Sequence, residues 1–358
     1  YWCRQDHHHR ARVVLHGLGG GFNSCNGTSA NNIIRLNTDG SIDNTFISGT
    51  GFDGAVNAIS VQTDGKILVG GYFSGYNGIS ANNIIRLNTN GGIDNSFIIG
   101  TAFDYFVNSI SIQTDGKILL GGGFSSYNGT SANNIIRLNT DGSIDNSFTT
   151  GTGFDFDVNA ISVQLDGNIL VGGIFTNYNG TSASRIIRLL SDGSSDNIFT
   201  SGTGFDGDAN AISVQTDGKI LVGGDFSSYN GTSANRIIRL NPDGSIDNNL
   251  ASGTGFNDDV NAISVQTDGK FIVGGRFTNY NGTSANNIIR LNTNGSIDNT
   301  FANGAGFDDW VRAISFQPNG KILVGGYFSN YNGNVKHRLC RLHNATIQTT
   351  PLINEILC

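Results

Sequence analysis

The sequence contains very few of the residues that favour helices. Methionine is absent, glutamate occurs only as Glu355, and proline occurs three times in 358 residues. Glycine, by contrast, occurs 51 times, and Asn, Ser, Thr, Ile and Val are abundant. This composition favours short strands joined by tight turns. The lack of methionine at position 1 or elsewhere predicts a processed product or a fragment, compatible with a removed signal peptide.

Long apolar runs and an excess of positive charge are also missing. No run of about 18 apolar residues occurs, so we predict no membrane span. Lys and Arg total 21 against 28 Asp and Glu, which gives a net charge of −7 and a pI near 5.2. Nucleic-acid binding needs clustered Lys and Arg, so we predict no nucleic-acid partner. The hydrophobic content of 37% is sufficient for a folded core.

Histidine is confined to the ends of the chain. Residues 17–336 contain none, which excludes Ser-His-Asp and Cys-His catalysis from most of the sequence. We therefore predict that the protein is not an enzyme, with no catalytic residue, cofactor or metal site. Two alternatives are less favoured: a hydrolase using paired aspartates such as Asp155 and Asp157, and a metal held between the two terminal groups of histidines.

A 51-residue repeat accounts for nearly the whole chain. The segment VNAISVQTDGKILVGG begins at Val56, and its copies begin 51 residues apart, at Val107, Val158, Ala209, Val260 and Val311. Seven such periods cover 357 of the 358 residues. The second repeat predicts four strands, a to d, over residues 56–62, 66–73, 83–88 and 92–97. Asp-Gly and Asn-Gly pairs supply the positive φ angles that hairpin turns require.

Four short strands in each unit of this length are typical of a β-propeller blade. We predict a single all-β domain over residues 1–358, a seven-bladed propeller of four-stranded antiparallel blades, with residues 1–18 and 343–358 irregular. Over residues 19–342, the spaced elements DGKILVGG, YNG, IIRLN and DGSIDN resemble the delta-sixty-repeat β-propeller family of bacterial surface and secreted proteins. The resemblance implies a propeller at an extracellular or cell-surface location, and it implies no activity.

Each Ile-Ile-Arg-Leu segment carries an arginine, and an aspartate follows eight residues later in all but the last repeat. These two positions lie opposite each other across the predicted c–d hairpin, where opposite charges stabilise a sheet. We predict structural ion pairs, with a ring of anion-binding arginines as the alternative. The predicted pairs include Arg86–Asp94, Arg137–Asp145, Arg239–Asp247 and Arg290–Asp298.

The loop between strands b and c repeats a Tyr-Asn-Gly motif. Its aromatic and amide groups could stack on sugars and bind their hydroxyls, whereas tyrosines that plug the space between blades are the structural alternative. The candidate ligand-binding residues are Tyr76, Asn77, Tyr127, Asn128, Tyr178, Asn179, Tyr229, Asn230, Tyr280 and Asn281. Variation between repeats gathers on the same predicted face, in the pair of residues before strand a and in the residue before the phenylalanine of strand b. That variation fits either sequence drift under weak selection at exposed loops or a contact surface that differs from blade to blade.

The four cysteines lie in the first and last repeats. Cys358 projects onto the repeat position of residue 1, two residues from Cys3. Four cysteines allow three pairings. We predict a Cys3–Cys358 disulfide across the ring seam and a second disulfide between Cys25 and Cys340, both of which would suit an oxidising compartment.

The sequence thus predicts an extracellular or cell-surface scaffold, adhesion or binding module. Its partner would be a protein or glycan at a surface, and self-association is possible because near-identical blades present repeated surfaces. The alternative is a lectin that binds glycans through the repeated Tyr-Asn-Gly loops.

Overall fold

Strands are the only regular secondary structure in the described chain. The structure, a computed structural model, describes residues 12–14, 17–19, 21–25, 28–199, 201–251, 253–301, 304–317 and 319–344. Within these ranges there is no helix, and therefore none long and apolar enough to cross a membrane. The strands fall into recurring groups that follow the sequence repeat.

Three strands of each repeat form its main sheet, with strand b in the middle. The a strands are β1 (Arg12–Val14), β6 (Ala55–Val61), β11 (Val107–Ile112), β16 (Val158–Val163), β21 (Ala209–Val214), β26 (Val260–Val265) and β31 (Val311–Phe316). The b strands are β2 (Gly17–Gly19), β7 (Ile67–Tyr72), β12 (Ile118–Gly122), β17 (Ile169–Gly173), β22 (Ile220–Gly224), β27 (Phe271–Gly275) and β32 (Ile322–Gly326). The c strands are β5 (Ile33–Arg35), β10 (Ile84–Leu87), β15 (Ile135–Leu138), β20 (Ile186–Leu189), β25 (Ile237–Leu240), β30 (Ile288–Leu291) and β35 (Leu339–Leu342).

Each b–c loop folds into a small hairpin of two two-residue strands. These hairpins are β3–β4 (Ser24–Cys25, Thr28–Ser29), β8–β9 (Gly75–Tyr76, Ile79–Ser80), β13–β14 (Ser126–Tyr127, Thr130–Ser131), β18–β19 (Asn177–Tyr178, Thr181–Ser182), β23–β24 (Ser228–Tyr229, Thr232–Ser233), β28–β29 (Asn279–Tyr280, Thr283–Ser284) and β33–β34 (Asn330–Tyr331, Asn334–Val335). The sequence had predicted a loop here without secondary structure.

The predicted fourth strand is reduced to one bridge in each of the first six blades. In the second blade, Leu87 pairs with Ile93, and the chain leaves the sheet at the next residue. The carboxylate of Asp94 accepts hydrogen bonds from the N–H and the hydroxyl of Ser96, at 3.1 and 2.7 Å, and so turns the chain away. Strand d over residues 92–97 was therefore predicted too long.

The chain between blades contributes to the core of the following blade. Phe103 forms a bridge with Tyr127, and its ring lies 4.3 Å from Phe124 and 4.7 Å from Tyr127. The same Phe–Phe–Tyr cluster recurs in every blade from the second to the seventh, and each of these rings is buried. Aromatic side chains of this size contribute a large share of the buried apolar surface.

The first blade lies between the second and the seventh, so the ring closes. Strand β1 contacts both β6 and β31. Arg341 donates to the carbonyl oxygens of Thr38 and Asp39, both at 2.6 Å, just as Arg137 donates to the carbonyl of Ser191 in the following blade at 2.5 Å. The prediction of an all-β, seven-bladed propeller is confirmed.

Candidate functional site

The arginine–aspartate pairs lie in the c–d hairpins on the turn face of the ring. In the third blade, Arg137 Nε donates to Asp145 Oδ2 at 2.6 Å, and Lys117 Nζ lies 3.0 Å from the same oxygen. The guanidinium also lies 4.6 Å from the ring centroid of Phe148. In the described part of the chain six pairs of this kind form, at 2.6–2.8 Å, among them Arg86–Asp94, Arg239–Asp247 and Arg290–Asp298. With their donors directed to carboxylates and backbone carbonyls, these arginines are not an open anion-binding ring.

The repeated tyrosines are buried rather than displayed. Tyr127 has no exposed surface, and its hydroxyl donates to the carbonyl oxygens of Ile98 and Gly142 at 2.9 and 2.8 Å. Burial raises the pKa of Tyr127 to about 12. Asn128 Oδ1 accepts a hydrogen bond from the N–H of Ala102 at 2.7 Å. Equivalent bonds hold Asn77, Asn179, Asn230 and Asn281.

These placements change the site predicted from the Tyr-Asn-Gly motif. Tyr76, Tyr178, Tyr229 and Tyr280 are also at most 1% exposed. A sugar cannot stack on a ring face that the protein core covers, so these tyrosines hold the hairpin to the blade. Asp155 also has a structural role, because its carboxylate accepts hydrogen bonds from the N–H groups of Thr176 and Asn177.

Variation between repeats collects along one rim on the opposite, loop face. We define the variable rim by four positions in each blade. They are the pair of residues before strand a, the bulged second residue of strand a, the residue at the end of strand b or directly after it, and the residue before strand c. Aromatic residues occupy the rim in blades two to four and again in blade seven. They are Tyr72, Tyr105, Phe106, Phe156, Trp310 and Tyr327.

The aromatic half of the rim is exposed. Tyr72 and Tyr105 are each 47% exposed and Phe156 is 55% exposed, although all three are large hydrophobic side chains. Tyr72 and Tyr105 meet edge to face at 5.5 Å. Beside Tyr72 runs an open groove of about 970 Å³, lined also by Asp53 and Asp104.

The other half of the rim, in blades four to seven, is charged. Beyond residue 20 the sequence has twelve arginines, of which seven occupy the repeated Ile-Ile-Arg-Leu position. The remaining five all lie on the variable rim, where other repeats carry Asn, Tyr, Gly, Ile or Asp. They are Arg185, Arg236, Arg276, Arg312 and Arg338. The aspartates of this half are Asp157, Asp208, Asp225, Asp258, Asp259 and Asp309.

Three of these arginines adopt a backbone conformation that suits asparagine better. Arg185, Arg236 and Arg338 have φ angles of 65°, 63° and 61°. At the same position, Asn83 accepts a hydrogen bond from the N–H of Phe73 at 3.1 Å and donates to the carbonyl of Phe103 at 3.2 Å. Arg236 instead leaves its buried Nε without a hydrogen-bond partner. A left-handed arginine without these bonds costs stability.

We expect Arg236→Asn to raise the free energy of unfolding by about 1 kcal/mol, because asparagine tolerates the positive φ and restores the two hydrogen bonds. Chemical denaturation checks the result. The reciprocal change Asn287→Arg, at the same position of the sixth blade, should destabilise by a similar amount. A loss of stability in Arg236→Asn would contradict this reading of the rim.

Two carboxylates of the charged half interact across neighbouring blades. Burial, together with the Asp225 carboxylate, raises the pKa of Asp259 from 3.8 to about 6. Arg276 N–H donates to the Asp259 carbonyl at 2.8 Å, while its Nε lies 3.4 Å from Asp258 Oδ2. Two like charges held close favour sharing a proton.

Asp259→Asn should stabilise the protein at pH 7.5 and have no such effect near pH 4. Because the folded protein raises the pKa of Asp259, its stabilising contribution is complete below about pH 4 and is lost as the pH rises through about 6. After allowance for partial exposure, we expect a gain of about 1 kcal/mol at pH 7.5. Urea denaturation at both pH values measures it, with Asp258→Asn as the control that should show no such gain.

The cysteine predictions have mixed outcomes. Cys340 is a free thiol buried in β35, where it stands opposite Val324, and burial raises its pKa to about 12. The predicted Cys25–Cys340 bond is therefore not supported, because Cys340 occupies the place of a core isoleucine. Cys3 and Cys358 lie outside the described residues. Within those residues, no group of His, Cys, Asp and Glu could hold a metal ion.

Sequence reasoning missed four recurrent structural side chains. The aspartate of Gly-Phe-Asp caps each hairpin, as Asp53 does for Ser74 and Gly75. The phenylalanine before it enters the next blade, and the asparagine before strand c adopts positive φ. The bulged asparagines of the a strands bond around the central channel, as Asn57 does to Asn108 Oδ1 at 3.3 Å. The recurrence of these residue types in most repeats was the available signal.

The fold and the repeat define a β-propeller, and a family comparison agrees. The family described as "Domain of unknown function (DUF5122) beta-propeller" matches residues 18–46, 62–97, 113–148, 164–199, 215–249, 266–301 and 317–344. These seven matches cover more than half of the chain, so the chain belongs to this family. No functionally curated protein matches the sequence.

Solved propeller structures are similar in fold but distant in sequence. The WD40 β-propeller domain of Doa1 is 16% identical over 86% of this chain and 87% of that chain, with a TM-score of 0.53. The extracellular domain of a putative hybrid two-component system from B. thetaiotaomicron is 14% identical, with a TM-score of 0.54. That match covers 98% of this chain but only 43% of the other. At such identities the similarity shows the fold alone.

The prediction that the chain is not an enzyme is wrong as an inference from this fold. Among the similar propellers is a virginiamycin B lyase from Staphylococcus aureus, 16% identical over 82% of this chain and 85% of that chain, with a TM-score of 0.45. That TM-score carries no argument for a lyase activity in this protein. The lyase is nevertheless an enzyme among the similar propellers, so the fold alone does not exclude catalysis.

Proposed function

We propose that the protein is a binding module of the extracellular space or cell surface, which holds a protein partner on the variable rim. One observation carries the proposal: in a chain of near-identical repeats, all five non-repeat arginines beyond residue 20 and the exposed aromatic residues Tyr72, Tyr105 and Phe156 lie along this one rim. The resemblance to delta-sixty-repeat surface proteins supports the location.

The residue types on the rim are those that anchor protein interfaces. Trp, Tyr and Arg are enriched among the residues that contribute most to binding free energy. The rim contains Trp310, two exposed tyrosines and five arginines. Relaxed drift at exposed loops would more often introduce small polar residues than these, and it would not retain left-handed arginines at a cost in stability.

A glycan is the second ligand class for the same surface. The buried Tyr-Asn-Gly tyrosines do not support it, whereas the exposed Tyr72 and Tyr105 beside the groove could stack on a sugar ring. Carboxylates such as Asp53 and Asp104 line the groove, although hairpin N–H groups already occupy one oxygen of each and a serine hydroxyl the other.

Self-association has separate support on the turn face of the fourth blade. There Leu165, Leu190 and Ile198 are 101%, 38% and 74% exposed, where other repeats mostly carry Thr, Asn and Ser or Thr. The two turns that hold Leu165 and Leu190 are adjacent, since a Cβ at Gly167 would lie 4.0 Å from Ser191. Sedimentation of Leu165→Thr against the unmodified protein tests this: an unchanged oligomeric state would contradict it.

Selection of binders tests the proposed function. A random peptide library is panned over the intact protein, and the selected peptides are titrated against Tyr105→Ala, Arg276→Ala and the turn-face control Asp115→Ala. We expect affinity to fall at least about tenfold in the rim variants and to be unchanged in the control. Peptides that bind the rim variants normally would contradict the proposal, and a glycan array in parallel would reveal a sugar ligand instead.

A further inference from the structure

We propose that the seventh blade's part of the variable rim binds an acidic peptide segment, through carboxylates held by an arginine–aromatic stack. This inference rests on the proposed function and names the chemistry of the partner. The stack consists of Arg276, Trp310, Arg312, Tyr327 and Arg338.

The five side chains alternate between cation and aromatic ring. The guanidiniums of Arg276 and Arg312 lie 4.6 and 4.9 Å from the ring centroid of Trp310. Those of Arg312 and Arg338 lie 5.3 and 5.4 Å from the ring of Tyr327. The two rings meet edge to face at 5.9 Å. Each ring therefore carries two guanidiniums, and the stack fixes three arginine side chains that would otherwise move freely.

Arg312 is the central member, and the repeat shows what it replaces. It occupies the strand bulge where other blades carry a channel asparagine such as Asn57, Asn108 or Asn261. Those asparagines hydrogen-bond to the next blade, as Asn108 does to the Val158 carbonyl. Within the described residues Arg312 forms no ion pair, and its Nε is buried without a hydrogen-bond partner. The carboxylates of Asp259 and Asp309 lie near enough to favour its charge, but neither forms a close ion pair with it, and a bound carboxylate would supply that direct contact.

Three of the five rim arginines, those of the stack, gather at this place, more than anywhere else on the rim. The carboxylates around them are Asp258, which pairs with Arg276 at 3.4 Å, and Asp259 and Asp309, which lie near Arg312. In a chain of net charge −7, this group of guanidiniums offers a carboxylate ligand more donors than any other part of the rim.

Stacked guanidiniums select carboxylates rather than sugar rings. A guanidinium held over an aromatic ring makes that contact without using its N–H donors, which can therefore hold a carboxylate through two parallel hydrogen bonds. The faces of Trp310 and Tyr327 are already occupied by arginines, so the rings offer little area to a sugar. The stack therefore favours an acidic peptide over a glycan.

The test titrates a short blocked oligoglutamate into the full chain at low salt. With Trp2→Phe as background, emission reports on Trp310, because the sequence has two tryptophans. We expect a saturable change with oligoglutamate and none with oligoglutamine. Arg312→Asn, which restores the repeat residue, should weaken binding about tenfold or more. Lys219→Asn makes the same charge change on the turn face, where the fourth blade already carries Asn168, and should leave affinity within about twofold.

Three results would overturn the inference: no binding of oligoglutamate, equal binding by Arg312→Asn, or an equal loss in the turn-face variant Lys219→Asn, which would indicate general charge attraction. Binding of an acidic oligosaccharide without peptide binding would also overturn it, in favour of a glycan. If oligoglutamate fails while panned peptides still depend on the rim, only this inference fails. If the panned peptides also ignore the rim, the proposed function fails with it.

Discussion

Asp145→Asn should lower the free energy of unfolding by about 3–5 kcal/mol, because it leaves a buried arginine without its counter-charge. Arg137 is 5% exposed and Asp145 is 7% exposed, so water cannot replace the lost carboxylate charge. Lys117, whose Nζ lies 3.0 Å from the same carboxylate, would also lose its ion-pair partner. Chemical denaturation at neutral pH measures the loss.

The matched control is Asp141→Asn in the turn of the same hairpin. Two other repeats already carry asparagine there, as Asn90 and Asn294, and these make the same turn hydrogen bonds as Asp141. We expect a change below about 0.5 kcal/mol. A comparable loss of unfolding free energy in both variants would mean that the buried ion pair contributes no more to stability than a turn hydrogen bond.

Acid should reduce the difference between Asp145→Asn and the unmodified protein. Burial raises the pKa of Asp145, but hydrogen bonds from Ser147, Lys117 and Arg137 outweigh it and hold the pKa well below 3.8. The carboxylate's stabilising contribution is therefore present above about pH 4 and is lost as the pH falls towards the folded pKa. The unmodified protein should lose this contribution below pH 4, and the variant should not.

Tyr178→Ala should destabilise the protein by about 3–5 kcal/mol, rather than remove ligand binding selectively. Its ring is 1% exposed and packs 4.5 Å from Phe154, and its hydroxyl donates to the Gly193 carbonyl at 2.6 Å. Truncation leaves a cavity in the blade and an unpaired buried carbonyl. Thermal or chemical denaturation checks this.

Tyr72→Ala is the contrasting variant on the variable rim. The ring is 47% exposed, so its removal should change stability by less than about 1 kcal/mol while weakening partner binding. Stability losses of equal size at Tyr178 and Tyr72 would contradict the division between structural and rim tyrosines.

The architecture could be predicted because the repeat encodes it many times over. A constant 51-residue spacing fixes the number of blades, and the eight-residue separation of Arg137 and Asp145 fixes a cross-strand pair. Both are consequences of strand geometry and turn length, which short sequence patterns carry.

The candidate site could be predicted only in part. The face that carries the variation follows from a meander of strands, and the variable pairs could be read from the alignment of repeats. The burial of Tyr127 could not, because it depends on Phe103 arriving from the preceding blade. Likewise, the end of strand d depends on the side-chain hydrogen bonds of Asp94, which strand propensity does not describe.

The arginine–aromatic stack was hidden for a related reason. Arg276 and Trp310 belong to different blades, and Arg338 is 26 residues beyond Arg312 in sequence. Only the arrangement of the blades in the propeller brings these side chains together, so no local sequence motif predicts the stack. Comparison of repeats would have marked Arg312 as an exception among channel asparagines.

Hydrogen–deuterium exchange of the protein with a panned peptide bound tests the role of the variable rim most directly. We predict slower exchange at the rim, in residues 54–57, 105–108, 258–261 and 309–312, with the turns at 63–66, 114–117 and 216–219 unchanged. Protection of those turns, with the rim unaffected, would contradict the account.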